Sequence, residues 1–83
     1  MNFSQIMADL SIRVLNDDEE PLEGIGVGIE FTELIRGMAH ESTDDEGYAY
    51  FSGYDEGPIR VYLDGKNCGK YNYVDGDNID ITK

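Results

Sequence analysis

The chain has one cysteine, one histidine, no tryptophan and only two prolines in 83 residues. The single Cys68 excludes an internal disulfide, and Cys68 with His40 cannot supply the four ligands of an ordinary zinc site. No basic cluster surrounds Cys68, so it reads as a small half-buried apolar residue rather than an activated thiol. Bases are scarce as well. Six Lys and Arg stand against 18 Asp and Glu, for a formal charge of −12. A field of that sign repels phosphate backbones and anionic lipid, which disfavours nucleic acid and membrane surfaces as partners and favours cationic proteins or metal ions. Solubility in a salty medium is the plainer reading of the same charge. No run of eighteen apolar residues occurs, and the opening "MNFSQIMADL" has no basic region before an apolar stretch. No signal peptide or membrane span is therefore visible, and the expectation is a cytoplasmic or virion-associated protein if the chain is complete.

Catalytic constellations are missing in the same way. Ser4, Ser11, Ser42 and Ser52 have only His40 as a possible base, and none sits in a G-x-S-x-G elbow. "GIGVG" (24–28) is not a dinucleotide fingerprint, because Ile29 stands where the third glycine belongs and no helical pattern follows. No Gly-Lys-Ser/Thr occurs to make a phosphate loop. The chain is expected not to be an enzyme.

What is present is alternation. Apolar residues recur at every second position in seven short segments divided by Gly, Asp, Asn and Pro, the pattern of half-buried strands. "DLSIRVL" (9–15) sets Leu10, Ile12 and Val14 on one face, and "IGVGIEFT" (25–32) sets Ile25, Val27, Ile29 and Phe31. "MAHEST" (38–43), "GYAYFS" (47–52), "PIRVYL" (58–63), "GKYNYV" (69–74) and "NIDIT" (78–82) follow. Ile59, Val61 and Leu63 share a face, as do Ile79 and Ile81. Gly37 and the preceding β-branched run make "FTELIRGMAH" a hairpin connection rather than a helix. Length allows one domain burying about 60% of its unfolded surface. The expected organisation is a flexible extension over 1–8 and a seven-stranded antiparallel β-sandwich over 9–83.

In "DEEPLEGIGVGIEF…STDDEGYAYFSGYDEGPIRVYLDG", Pro21, Leu22 and Gly24, then Thr43, Asp44 and Gly47, then Gly57, Ile59, Val61 and Leu63 fall into a recognisable order. That order resembles carboxypeptidase regulatory-like and collagen-adhesin B-type domains over residues 10 to 65. The resemblance implies a Greek-key, transthyretin-like or Ig-like sandwich serving as a non-catalytic module. Its register places Ala49 and Phe51 inward, Tyr48 and Tyr50 outward, and Tyr54 at a core position. It also sets the fifth strand beside the second, where Tyr62 would cover the bare outward face left by Gly26 and Gly28. Many collagen-adhesin B-type domains join a first-strand Lys to a last-strand Asn by an isopeptide bond. Here Arg13 stands on the first strand, so no crosslink is expected although Asn78 and Glu30 are present.

Two surface features carry the functional expectations. Gly26, Gly28, Tyr48, Tyr50, Arg60 and Tyr62 are candidates for protein contact, since exposed tyrosines give large contact area at low entropic cost. If strands alternate up and down, the turns after the first, third and fifth share one end. That end gathers Asp17, Asp18, Glu19, Glu20, Glu23, Asp44, Asp45, Glu46 and Asp64 against Lys66. Asp17, Asp44 and Asp45 could there offer oxygen ligands to Ca²⁺, or Asp44 could cap its own turn. The function expected is a protein-binding accessory, structural or surface module. The alternatives are an acidic decoy that occupies a nucleic-acid-binding surface and a calcium-stabilised domain.

Overall fold

Each alternating segment becomes a strand in the computed structural model, which describes residues 8–33 and 37–83. The strands are β1 (Ala8–Leu15), β2 (Gly26–Phe31), β3 (Gly37–Ser42), β4 (Tyr48–Tyr54), β5 (Gly57–Leu63), β6 (Lys66–Tyr73) and β7 (Asp77–Thr82). Of the expected extension, residues 1–7 lie outside the described residues and Ala8 already belongs to β1. The turn expected at 33–37 lies partly outside them too. No helix among the described residues is long and apolar enough to cross a membrane.

The strands form a three-stranded sheet in the order β4-β1-β7, hereafter sheet A, and a four-stranded sheet in the order β3-β2-β5-β6, sheet B. Four of the five pairings are antiparallel: β1 with β4, β2 with β3 and β5, and β5 with β6 each join an odd to an even strand. β1 and β7 instead run parallel, Ile12 opposite Ile79 and Val14 opposite Ile81. The expected all-antiparallel sandwich is corrected at this pair. Strands that alternate up and down leave the first and seventh pointing the same way, so placing them side by side makes their ladder parallel.

Between the sheets lie Leu10, Ile12, Val14, Val27, Ile29, Phe51, Ile59, Val61, Leu63, Ile79 and Ile81, all expected inward and all buried. Ala8, Ala49 and Tyr73 complete the core, Ala49 as expected. Tyr73 has no exposed surface, and its hydroxyl donates to the carbonyl of Ala8 at 2.8 Å, so the polar end of a large buried ring is satisfied.

The connections at one end are tied by short backbone bonds. Leu22 N donates to Val14 O at 3.0 Å, Val14 N to Gly47 O at 2.8 Å, Gly24 N to Thr43 O at 3.0 Å, and Asp64 N to Gly26 O at 2.8 Å. Thr43 is the buried polar residue of this knot. Its hydroxyl donates to Leu22 O at 2.7 Å and accepts from Ile25 N at 2.9 Å. These bonds hold the turns after β1, β3 and β5 together, as alternation requires.

Candidate functional site

Outward residues of β2, β3 and β5 form the outer face of sheet B, and the glycines expected to leave a trough there do not leave one open. Gly28 lies opposite His40 on one side and Tyr62 on the other. A side-chain carbon on Gly28 would stand 3.1 Å from His40 Cδ2 and 3.7 Å from Tyr62 Cβ. Tyr62 was the expected cover; His40 shares the work, and Gly28 is buried. At Gly26 the space is taken by Asp64, whose Oδ1 accepts from Gly26 N at 2.9 Å. Tyr62 and Arg60 both turn to Glu30, the hydroxyl donating to Oε1 at 2.8 Å and the guanidinium standing 3.6 Å away. This face is closed upon itself.

Tyr48 and Tyr50 lie on the other side of the molecule. Both point outward from β4, at the edge of sheet A, so the six residues considered for contact divide between two opposite faces. Tyr48 stacks on Tyr50 with ring centroids 5.6 Å apart and planes 18° from parallel. Arg13, cross-strand from Tyr48, places its guanidinium carbon 4.9 Å from the Tyr48 centroid, while its Nε donates to Glu46 O at 3.0 Å. Tyr50 remains 62% exposed. Desolvation, then the charge of Asp44, raises the pKa of its hydroxyl above the usual tyrosine value, so the ring stays neutral across the physiological range. Beside Tyr50 runs a groove of about 290 Å³ bordered by Ser52, Ser11, Asp9 and Asp77. Ser11 rather than a lysine faces Asn78, its hydroxyl 2.7 Å from Asn78 Oδ1.

The acidic pole is where alternation placed it, with one addition. Lys83 emerges at this end, its backbone N donating to Leu15 O at 2.8 Å and its ammonium 3.7 Å from Asp64, so Lys66 is not the pole's sole base. Asp44 caps its own turn, its Oδ1 accepting from Glu46 N and Tyr48 N at 2.9 Å each. Asn16 does the same for Asp18 and Glu20, its Oδ1 accepting from their backbone N at 2.8 and 2.9 Å. Asp17, Asp44 and Asp45 are not drawn together, and among the described residues no group of three His, Cys, Asp or Glu is placed to hold a metal ion. Crowded like charge should respond to screening. The melting temperature is expected to rise gradually with sodium chloride between about 0.01 and 0.2 M, as the Debye length falls from about 30 to about 7–8 Å. Magnesium and calcium at equal ionic strength should do no more than sodium. A saturable rise with calcium alone, lost in Asp17→Asn and Asp45→Asn, would instead establish a calcium site.

At the opposite end an aromatic cluster closes the sandwich. Gly53, with φ of +86°, makes a bulge where β4 shifts register against β1, and this turns Tyr54 from the outward to the inward side. Tyr54 then meets Phe31 at 5.2 Å and Tyr73 at 6.0 Å, but it stays 39% exposed at the end of the sandwich, so the core position that the resemblance gave it is not a buried one. A cavity of about 340 Å³ beside it is lined by Phe31, Met38, Tyr54, Glu56 and Pro58. Burial, then the nearby Asp9 charge, pushes the Tyr73 hydroxyl up to about 12. A raised folded pKa gives stability that is complete below the unfolded value near 10 and is lost as pH climbs through 12. Tyr73 alone should thus remove about 2 kcal/mol by pH 12. Tyr73→Phe should cost about 1 kcal/mol at neutral pH and flatten the alkaline decline, as urea melts across that window would show.

No family model and no curated protein matches the chain. Among solved structures it is similar to the crystal structure of BcpA, the major pilin subunit of Bacillus cereus, with a TM-score of 0.63 and 8% identity. The match covers 93% of this chain and 29% of the pilin, so the chain spans less than a third of that subunit's length. The likeness is one of fold. It supports a β-sandwich, and leaves the resemblance to regulatory-like and adhesin B-type domains without a match of its own.

Proposed function

We propose that this chain is a non-catalytic module, its sandwich of the Greek-key, transthyretin-like kind, that acts through protein contacts as a structural or surface component. The outer face of sheet A is its contact surface. The observation that carries this is the stack of Arg13, Tyr48 and Tyr50. Neighbouring rings and a guanidinium already restrict one another's rotamers, so little further entropy is lost when a partner covers them, and a 62% exposed ring offers substantial area. Sheet B's outer face satisfies its own polar groups and offers less. The pilin likeness agrees with a structural role.

The test is affinity capture from the native source with the wild-type chain and the Tyr48→Ala/Tyr50→Ala double variant, at about 0.1 and about 1 M salt, where the Debye length falls from about 10 to about 3 Å. Capture that persists in high salt and is lost in the double variant is the expected result. Capture that collapses with salt and ignores the tyrosines would make the acidic pole the binding element and the chain a charge-mimicking decoy.

A further inference from the structure

Tyr50 ends a stack and begins a groove. Tyr48 covers one side of its ring, and the walls of the groove continue past Tyr50 away from Tyr48. Register fixes those walls. Tyr50 lies opposite Ser11 and Ser52 opposite Asp9, while Leu10 lies opposite Asp77 on the other flank of β1. The Asp9 carboxylate and the backbone carbonyl of Asp77, whose side chain shares the inward parity of Ile79 and Ile81, therefore border the groove on the side away from Arg13, and no Lys or Arg lines it. Asp9 and Asp77 enter the hydrogen-bond network through backbone atoms, Asp9 N donating to Asp75 Oδ1 at 2.8 Å and Asp77 O accepting from Ser11 Oγ at 3.5 Å. The two salt bridges of the described residues lie elsewhere.

We infer that this groove seats one arginine side chain of a partner protein, its guanidinium over the open side of Tyr50 and its N–H groups toward the Asp9 carboxylate and the Asp77 backbone carbonyl. The inference rests on the contact surface proposed above and names the chemistry of what meets it. A guanidinium is planar, weakly hydrated and always charged, so it can lie on an aromatic ring while donating sideways to carboxylates. The same stack shows the pairing at its other end, where Arg13 lies over Tyr48. Charge complementarity supplies the direction, since a chain of net charge −12 draws cations toward an acid-bordered groove. A neutral sugar could also lie on Tyr50, but it would gain nothing from that field. An ammonium matches the charge without the flat shape and should bind more weakly.

The measurement is an amide chemical-shift titration of the full ¹⁵N-labelled chain with acetyl-Gly-Arg-Gly-amide, with its Lys and Gln counterparts and with methyl glucoside. Saturable shifts confined to residues 9–11, 50–52 and 76–77 are expected from the Arg peptide, smaller ones from Lys, and none from Gln or the sugar. Tyr50→Ala and Asp9→Asn should each weaken the Arg peptide by about three- to fivefold, the worth of one exposed cation–π contact or ion pair, and Asp77→Asn should leave it unchanged. Tyr50→Phe should bind as the wild type does. Shifts that spread over residues 16–20 and 43–46 and ignore Tyr50→Ala would overturn the inference, and the capture experiment would decide the contact surface separately. Saturable shifts from the sugar with none from the Arg peptide would overturn both.

Discussion

Phe51→Ala should leave the domain unfolded or close to it. Phe51 is 2% exposed and belongs to the single cluster of buried residues between the two sheets. Removing its ring should cost on the order of 3–5 kcal/mol, the lost transfer energy plus the cavity left behind. A chain of this length has a total stability of only roughly 4–12 kcal/mol, from about 0.05–0.15 kcal/mol per residue. The loss is thus about a quarter or more of what holds the fold. Urea titration followed by circular dichroism measures it, with the midpoint falling and the slope held. A loss below about 1 kcal/mol would mean that Phe51 is not in a close-packed core.

Gly47→Ala should cost about 2–4 kcal/mol, for two reasons that a control can separate. Gly47 has φ of +84°, which strains any residue with a β-carbon. Its added carbon would also stand 2.8 Å from Val14 O and 3.0 Å from Pro21 Cβ. Neither neighbour is free to retreat. Val14 O accepts from Leu22 N and Val14 N donates to Gly47 O, so relief of the clash would break the knot that joins β1, β4 and the loop between β1 and β2. Gly65 has nearly the same φ, +87°, but nothing within 4 Å of the added carbon. Gly65→Ala should therefore show the backbone strain alone, about 1 kcal/mol. Equal costs at the two positions would mean that the close approach at Gly47 does not exist.

Period-two alternation made most of this fold legible. Ile12, Val14, Val27, Ile29, Val61 and Leu63 follow from it directly, and strand parity then brings the acidic turns to one end. What alternation does not carry is anything that breaks it. The bulge at Gly53 reverses Tyr54, which alternation alone would turn outward and which the family resemblance, not the pattern, set inward. Tyr73 is inward although Asn72 and Val74 beside it give no contrast of polarity, and only its hydrogen bond to Ala8 O makes the burial tolerable. His40 over Gly28 depends on the register of β3, a strand whose residues are nearly all exposed and so carry no inward set to fix it.

The contact candidates show a further limit. Gly26, Gly28, Arg60 and Tyr62 share one sheet and Tyr48 and Tyr50 the other, a division set by which strands pair and invisible to any one segment's pattern. The parallel pairing of β1 with β7 is of the same kind, since it joins residues 67 positions apart, as Leu10 and Asp77 are.

The claim on which the rest depends is that the Tyr48–Tyr50 face of sheet A meets the partner. Hydrogen–deuterium exchange of the chain, free and saturated with its captured partner, tests this most directly, because it reports position without altering any residue. The expected result is new protection over residues 9–13 and 48–52, with residues 16–20 and 43–46 unchanged. Protection gained at the acidic turns while 48–52 exchanges as in the free chain would contradict it.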